Sequence, residues 1–129
     1  MGLDLWTDDQ SGNRPETTLR NLAAEGVSDR CGLKTGDMLA MPFPDDSFDL
    51  VVSSLAIHNI GDRNVRNHTR RLQALDEAVR VLKPGGRLLV ADFWSGVYAK
   101  HLRQRGLLEV QQSSIAWRFW YLPGLVLDP

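Results

Sequence analysis

The chain has 129 residues, enough for one domain and too few for two comfortable ones. Hydrophobic residues make up 43% and charged ones 24%, the balance of an ordinary globular protein. Fifteen basic and sixteen acidic side chains leave a formal net charge of -1, which gives no reason to expect nucleic acid or an anionic membrane as a partner.

No apolar run approaches the length of a bilayer span, and the first residues form neither a basic leader nor a secretory apolar stretch. The cytoplasm is therefore the expected compartment. Cys31 is the single cysteine, so no internal disulfide is available, and it is read as a small buried hydrophobe. No His or Cys cluster has metal-ligand spacing.

Residues 2–6, "GLDLW", form a short strand pattern that runs into the polar loop "TDDQSGNRP". Pro15 suits the first turn of a helix, "PETTLRNLAAEG", which places Leu19, Leu22 and Ala23 on one face and ends at Gly26. "CGLKTGD" is a brief second strand. "FDLVVSS" is a third, and its continuous apolar character predicts burial on both faces. In "RRLQALDEAVRVLKPGG", Leu72, Leu75, Val79 and Leu82 recur at three- and four-residue steps. That spacing predicts an amphipathic helix over 69–82, stopped by Pro84 and the glycine pair. "RLLVADFW" is a further buried strand, a helix follows over about 97–105, and "LLEVQQSSIAWRFWYLP" is compatible with one or two edge strands. Strands alternating with helices imply one layered α/β domain, residues 1–129, with a mostly parallel sheet.

Ligands of such sheets sit at the carboxyl ends of the strands. Asp4, followed by apolar Leu5 and Trp6, ends the first strand, and Asp37-Met38 ends the second. One carboxylate there can accept two hydrogen bonds from a ribose diol, and another can take the exocyclic amine of adenine. The pair fits an adenosine, although either Asp can equally serve as a turn cap. His58 lies just past the third strand, where an acceptor would approach. Imidazole can take a proton near neutral pH, or the residue can simply close a loop. Asp92 ends the strand "LLVAD" as a further acceptor-site residue or a plain terminator. Trp94, Trp117, Phe119, Trp120 and Tyr121 either line an acceptor pocket or pack in the core. The basic stretch "GDRNVRNHTRR" reads as a solvated loop entering a helix.

"GLDLW", "TGDMLAMPFPDDSFDLVVSSLAIHNI" and "LDEAVRVLKPGGRLLVADFW" together resemble class I S-adenosylmethionine-dependent methyltransferases, in particular the group with a type 11 methyltransferase domain. The resemblance runs from Gly2 to about residue 94. It implies a Rossmann-like three-layer sheet and S-adenosyl-L-methionine as cofactor, with a small-molecule methyl acceptor. In that pattern Asp4 binds the ribose hydroxyls with Leu5 beside the adenine. Asp37 holds the adenine amine, the Met38 backbone holds a ring nitrogen, and Ser54 lies near the methionine part.

The family's first strand and glycine-rich loop would precede Gly2, so the resemblance implies a fold truncated at its N-terminus and shortened at its C-terminus. The strands bearing Asp4 and Ser54 would flank the absent strand. They would either close on each other or keep open edges suited to self-association. Weak cofactor affinity and negligible turnover are expected of the chain by itself. Two rivals remain: a non-catalytic fragment or association module, and a nicotinamide-dependent dehydrogenase, which also uses an acidic residue at the second strand's end.

Overall fold

The computed structural model describes residues 1–6, 12–61 and 68–113. The chain is organised as two compact units, Met1–Pro42 and Phe43–Pro129.

The first unit holds β1 (Gly2–Asp4), α1 (Pro15–Ala24) and β2 (Leu33–Thr35). The strands pair in parallel from Gly2↔Leu33 to Asp4↔Thr35. The ladder continues past the strand ends, where the Gly36 amide donates to the Asp4 carbonyl at 3.0 Å. A Cβ on Gly36 would come within 2.9 Å of Pro42 and 2.8 Å of Leu3, so glycine is needed where the chain turns toward Asp37. Pro15 opens α1, where its missing N–H leaves no helical bond unmade. The predicted apolar face of α1 is not packed: the helix has no buried residue, and Leu19 is 52% exposed. Cys31 is likewise exposed rather than buried. A unit this short has too little chain to enclose both the helix and the strands.

The second unit holds β3 (Phe48–Ser54), a 3-10 turn (Ile57–Asn59), α2 (Thr69–Arg80), β4 (Leu82–Ala91) and α3 (Ser95–Gln104). β3 and β4 pair in parallel from Leu50↔Arg87 to Ser54↔Ala91. An earlier pair, Phe48↔Leu82, leaves Lys83, Pro84, Gly85 and Gly86 opposite the single residue Asp49. The "KPGG" sequence is thus a bulge inside β4 and not the end of the helix. Gly85 has φ +79°, and a Cβ on Gly86 would lie 2.9 Å from Leu82 and from the Lys83 carbonyl.

The helix ends sooner than expected, at Arg80, because the "PFPDDSF" segment caps it. The amides of Asp46 and Ser47 donate to the carbonyls of Arg80 and Val81 at 3.1 and 2.9 Å. The Arg80 guanidinium returns bonds to the Phe43 carbonyl at 2.9 Å and to Asp45 at 2.7 Å.

The buried face of α2 is Arg71, Ala74, Leu75 and Ala78, continued by Val81. Of the predicted stripe only Leu75 is fully enclosed. Leu72 and Val79 are half-buried, and Leu82 already belongs to β4. Small residues at 74 and 78 let α2 approach its neighbours closely, which turns the helix toward them. α2 packs on β4 and on α3, where Tyr98, Ala99 and Leu102 complete the core. Asp76 ties the two helices, accepting from His101 Nε2 at 2.6 Å and Arg105 Nε at 2.7 Å. Burial alone would raise its carboxyl, but the bonds from Arg105 and His101 outweigh this and hold it below the ordinary carboxylate value.

β3 is not buried on both faces. Val51, Leu88 and Val90 are half-buried on one side, whereas Leu50, Val52 and Leu89 on the other are 51%, 62% and 56% exposed. The architecture is α/β with parallel pairing throughout, but as two two-stranded sheets, β1-β2 and β3-β4, rather than one continuous sheet. Each strand therefore keeps one edge unpaired among the described residues. Residues 107–113 form no strand, and the rest of the expected edge strands, 114–129, lie outside the described residues. No helix of the described residues is long and apolar enough to cross a membrane.

Candidate functional site

The parallel register of β1 and β2 brings Asp4 and Asp37 to the same end of the first unit, since Asp4 pairs with Thr35 and Asp37 follows two residues on. Both serve as turn caps. Asp4 Oδ1 accepts from the Trp6 amide at 2.8 Å and from Asn13 Nδ2 at 3.3 Å. Asp37 Oδ1 accepts from the Leu39 amide at 2.9 Å. Each carboxylate has its Oδ2 without a hydrogen-bond partner among the described residues, so capping and ligand binding do not compete for the same oxygen. Trp6 sits at φ +56° and its indole donates to Thr35 Oγ1 at 2.9 Å, fixing the loop beyond Asp4. Leu5 is 47% exposed, and Met38 is half-buried beside Asp37.

In the second unit, β3 ends at Ser54, which is exposed and paired with Ala91. Leu55 follows at φ +49°, and its amide donates to the Ala91 carbonyl at 2.8 Å. This turn sends the chain into the 3-10 segment that carries His58. Asp92, one residue beyond β4, meets it there. The Asp92 side chain is wholly buried and binds His58 twice, taking its amide on Oδ2 at 3.1 Å and its ring Nδ1 on Oδ1 at 3.0 Å. The Phe93 amide also donates to Oδ1, at 2.6 Å. A carboxylate on Nδ1 fixes the tautomer that carries its proton there, and Nε2 has no partner among the described residues. Asp92 is therefore more than a strand terminator.

His58 lines a cavity of about 390 Å³ with Asn59, Arg71, Phe93 and Trp94. Phe93 meets the His58 ring edge-on at 4.9 Å, and Trp94 lies 6.1 Å from Phe93. Trp94 is thus a cavity wall and not core, whereas Trp117, Phe119, Trp120 and Tyr121 lie outside the described residues. Arg71, expected in a solvated stretch, is only 3% exposed. Its position in register with Ala74, Leu75 and Ala78 was the sequence signal for burial: one arginine on an otherwise apolar face.

A family model described as a methyltransferase domain matches residues 5–90. The chain belongs to the class I S-adenosylmethionine-dependent methyltransferases. Among curated relatives, the ubiquinone/menaquinone biosynthesis C-methyltransferase of Roseobacter denitrificans is 43% identical over 70 residues, covering 54% of this chain and 25% of that protein. The enzyme of the same name from Geotalea daltonii is 35% identical over 104 residues, covering 79% of this chain and 41% of its own. The chain thus spans about a quarter of the first of these methyltransferases and well under half of the second. Among solved structures, the YcgJ protein of Bacillus subtilis is 26% identical with a TM-score of 0.55, covering 93% of this chain and 47% of that one. The matched span includes β2, β3 and β4 as far as Val90, with Asp37, Met38, Ser54 and His58, whereas β1 with Asp4 lies just before it and Asp92 just after it.

Proposed function

We propose that the chain takes part in methyl transfer from S-adenosylmethionine to a small-molecule acceptor, as one domain over residues 1–129. The observation that carries this reading is the His58–Asp92 pair, set on a cavity at the carboxyl ends of two parallel strands in a chain of this family. The residues fit the cofactor. In the first unit Asp4 and Asp37 each offer a carboxylate oxygen with no partner among the described residues, for ribose hydroxyls and for an adenine amine, with Leu5 as an apolar surface and Met38 following Asp37. In the second unit Ser54, at the end of β3, is the residue proposed for the methionine part. When bound, the cofactor supplies an electrophilic methyl on a sulfonium.

The remaining work is positional and acid–base. Asp92 holds His58 with its Nδ1 protonated, leaving Nε2 to take a proton from the acceptor as the acceptor becomes nucleophilic. Phe93 and Trp94 supply flat apolar walls for a planar acceptor, which accords with the quinone-pathway names of the relatives.

Calorimetric titration with S-adenosylhomocysteine and, separately, with NAD tests this reading. S-adenosylhomocysteine should bind in preference. Asp4→Ala should weaken it by about 1.5–3 kcal/mol through loss of charge-assisted hydrogen bonds. Asp37→Asn should cost less, because an amide can still accept from an amine. A dissociation constant unchanged by Asp4→Ala, or tighter binding of NAD, would remove the assignment.

A further inference from the structure

Arg71 is a buried cation whose bonding is unfinished. Its Nη2 donates to the His58 carbonyl at 3.1 Å, its Nη1 stands 3.5 Å from His68 Nδ1, and its guanidinium carbon lies 4.3 Å over the Trp94 ring. None of these partners is a carboxylate, and its Nε is buried with no hydrogen-bond partner among the described residues. A guanidinium removed from water normally pairs with an anion, because its desolvation is otherwise uncompensated. The buried carboxylate nearest in function, Asp92, is bonded instead to the His58 amide, the His58 ring and the Phe93 amide.

Among the described residues, the titratable residues in contact with Arg71 are His58, through its carbonyl, and His68, and Tyr98 lies near enough to feel its charge. Arg71 also lines the cavity with His58, Asn59, Phe93 and Trp94. A guanidinium with no carboxylate partner among the described residues, an amide side chain and two aromatic walls meet in one space.

From this geometry we infer that the cavity takes an acceptor in its oxyanion form: a phenolate or enolate, whose charged oxygen bonds Arg71 and whose plane lies against Phe93 and Trp94. The inference rests on the methyl-transfer reading and names its acceptor class. His58 Nε2 takes the proton from the hydroxyl, the O–H electron pair stays on oxygen, and Arg71 holds the resulting negative charge. The carbon or oxygen nucleophile is thereby generated in place.

The test uses 4-nitrophenol, whose two protonation states differ in colour, added to the 129-residue chain without any cofactor. The protein should bind the phenolate at least ten-fold more tightly than the phenol. At a fixed pH near the probe's midpoint, phenolate absorbance then rises as protein is added, and the apparent midpoint falls by about one pH unit. Arg71→Gln should abolish the shift in a protein of unchanged circular dichroism, and Arg71→Lys should keep part of it. An unchanged or raised midpoint with the wild-type protein, or a shift that survives in Arg71→Gln, would overturn the inference. An unchanged wild-type midpoint overturns the inference by itself. Should Arg71→Gln fail to fold, Arg71→Lys, which keeps the charge but should lose part of the shift, takes its place: a full wild-type shift in Arg71→Lys counts against the inference. If S-adenosylhomocysteine fails to bind while the phenolate shift is present, the methyl-transfer reading falls and the oxyanion site stands. The converse result removes only the oxyanion site.

Discussion

The hydroxyl of Tyr98 is buried on α3 without a hydrogen-bond partner among the described residues. Burial pushes its pKa up to about 12, the Asp92 charge adds to the rise, and Arg71 opposes it. The unfolded chain therefore loses this proton first, near the ordinary value of 10.0. Stability should be flat below about pH 10 and fall as the pH climbs toward about 12. Tyr98→Phe should flatten that decline and raise stability at neutral pH by about 1 kcal/mol, since an unsatisfied hydroxyl no longer needs to be desolvated. Urea denaturation at neutral and alkaline pH checks both statements, and a less stable Tyr98→Phe at neutral pH would mean that the hydroxyl has a partner. At this scale the sequence singled out His58 by its place after a strand, and the structure sets it beside a cavity and against Asp92. Arg71 stayed hidden because a run of arginines and asparagines looks solvated until the helix phase is known.

That phase was only half legible. Leucine and valine positions suggested one face of α2, but the helix turns about one residue round, so that Ala74 and Ala78 face inward with Leu75. Alanine carries a weak apolar signal in a sequence, yet it permits the closest backbone approach, and packing density decided the face. Leu75 has no exposed surface, so Leu75→Ala should cost roughly 2–5 kcal/mol. Leu72→Ala, at a half-buried site, should cost clearly less, and Val52→Thr, on the 62% exposed side of β3, should stay within about 0.5 kcal/mol. Equal losses at Leu72 and Leu75 would restore the face that the sequence pattern suggested. The "PFPDDSF" and "KPGG" segments, prominent in the family resemblance, prove to be the cap of α2 and the bulge of β4. Their functions are structural, and a sequence cannot separate such punctuation from a ligand loop.

Across the whole molecule, the alternation of strands and helices was enough to give an α/β chain with parallel pairing, because parallel neighbours need crossovers. The division into two sheets was not written in any local pattern, since strand pairing joins residues far apart in sequence. It has a consequence for function. The hydrogen bonds described for Asp4 and Asp37 stay within Met1–Pro42, and those of Arg71 and Asp92 stay within Phe43–Pro129.

Binding of the cofactor's nucleoside part and binding of an acceptor oxyanion should therefore respond to different substitutions. Asp4→Ala should weaken S-adenosylhomocysteine and leave the 4-nitrophenolate shift intact, whereas Arg71→Gln should do the reverse. In the double variant the two losses should add to within about 0.5 kcal/mol, as expected of sites that share no partner. The measurement is a four-protein cycle, with each ligand titrated into wild type, both single variants and the double. A larger departure from additivity would mean that the carboxylate at the end of β1 and the guanidinium on α2 act through a common element, and the two halves of the proposed reaction would then have to be treated as one cooperative site.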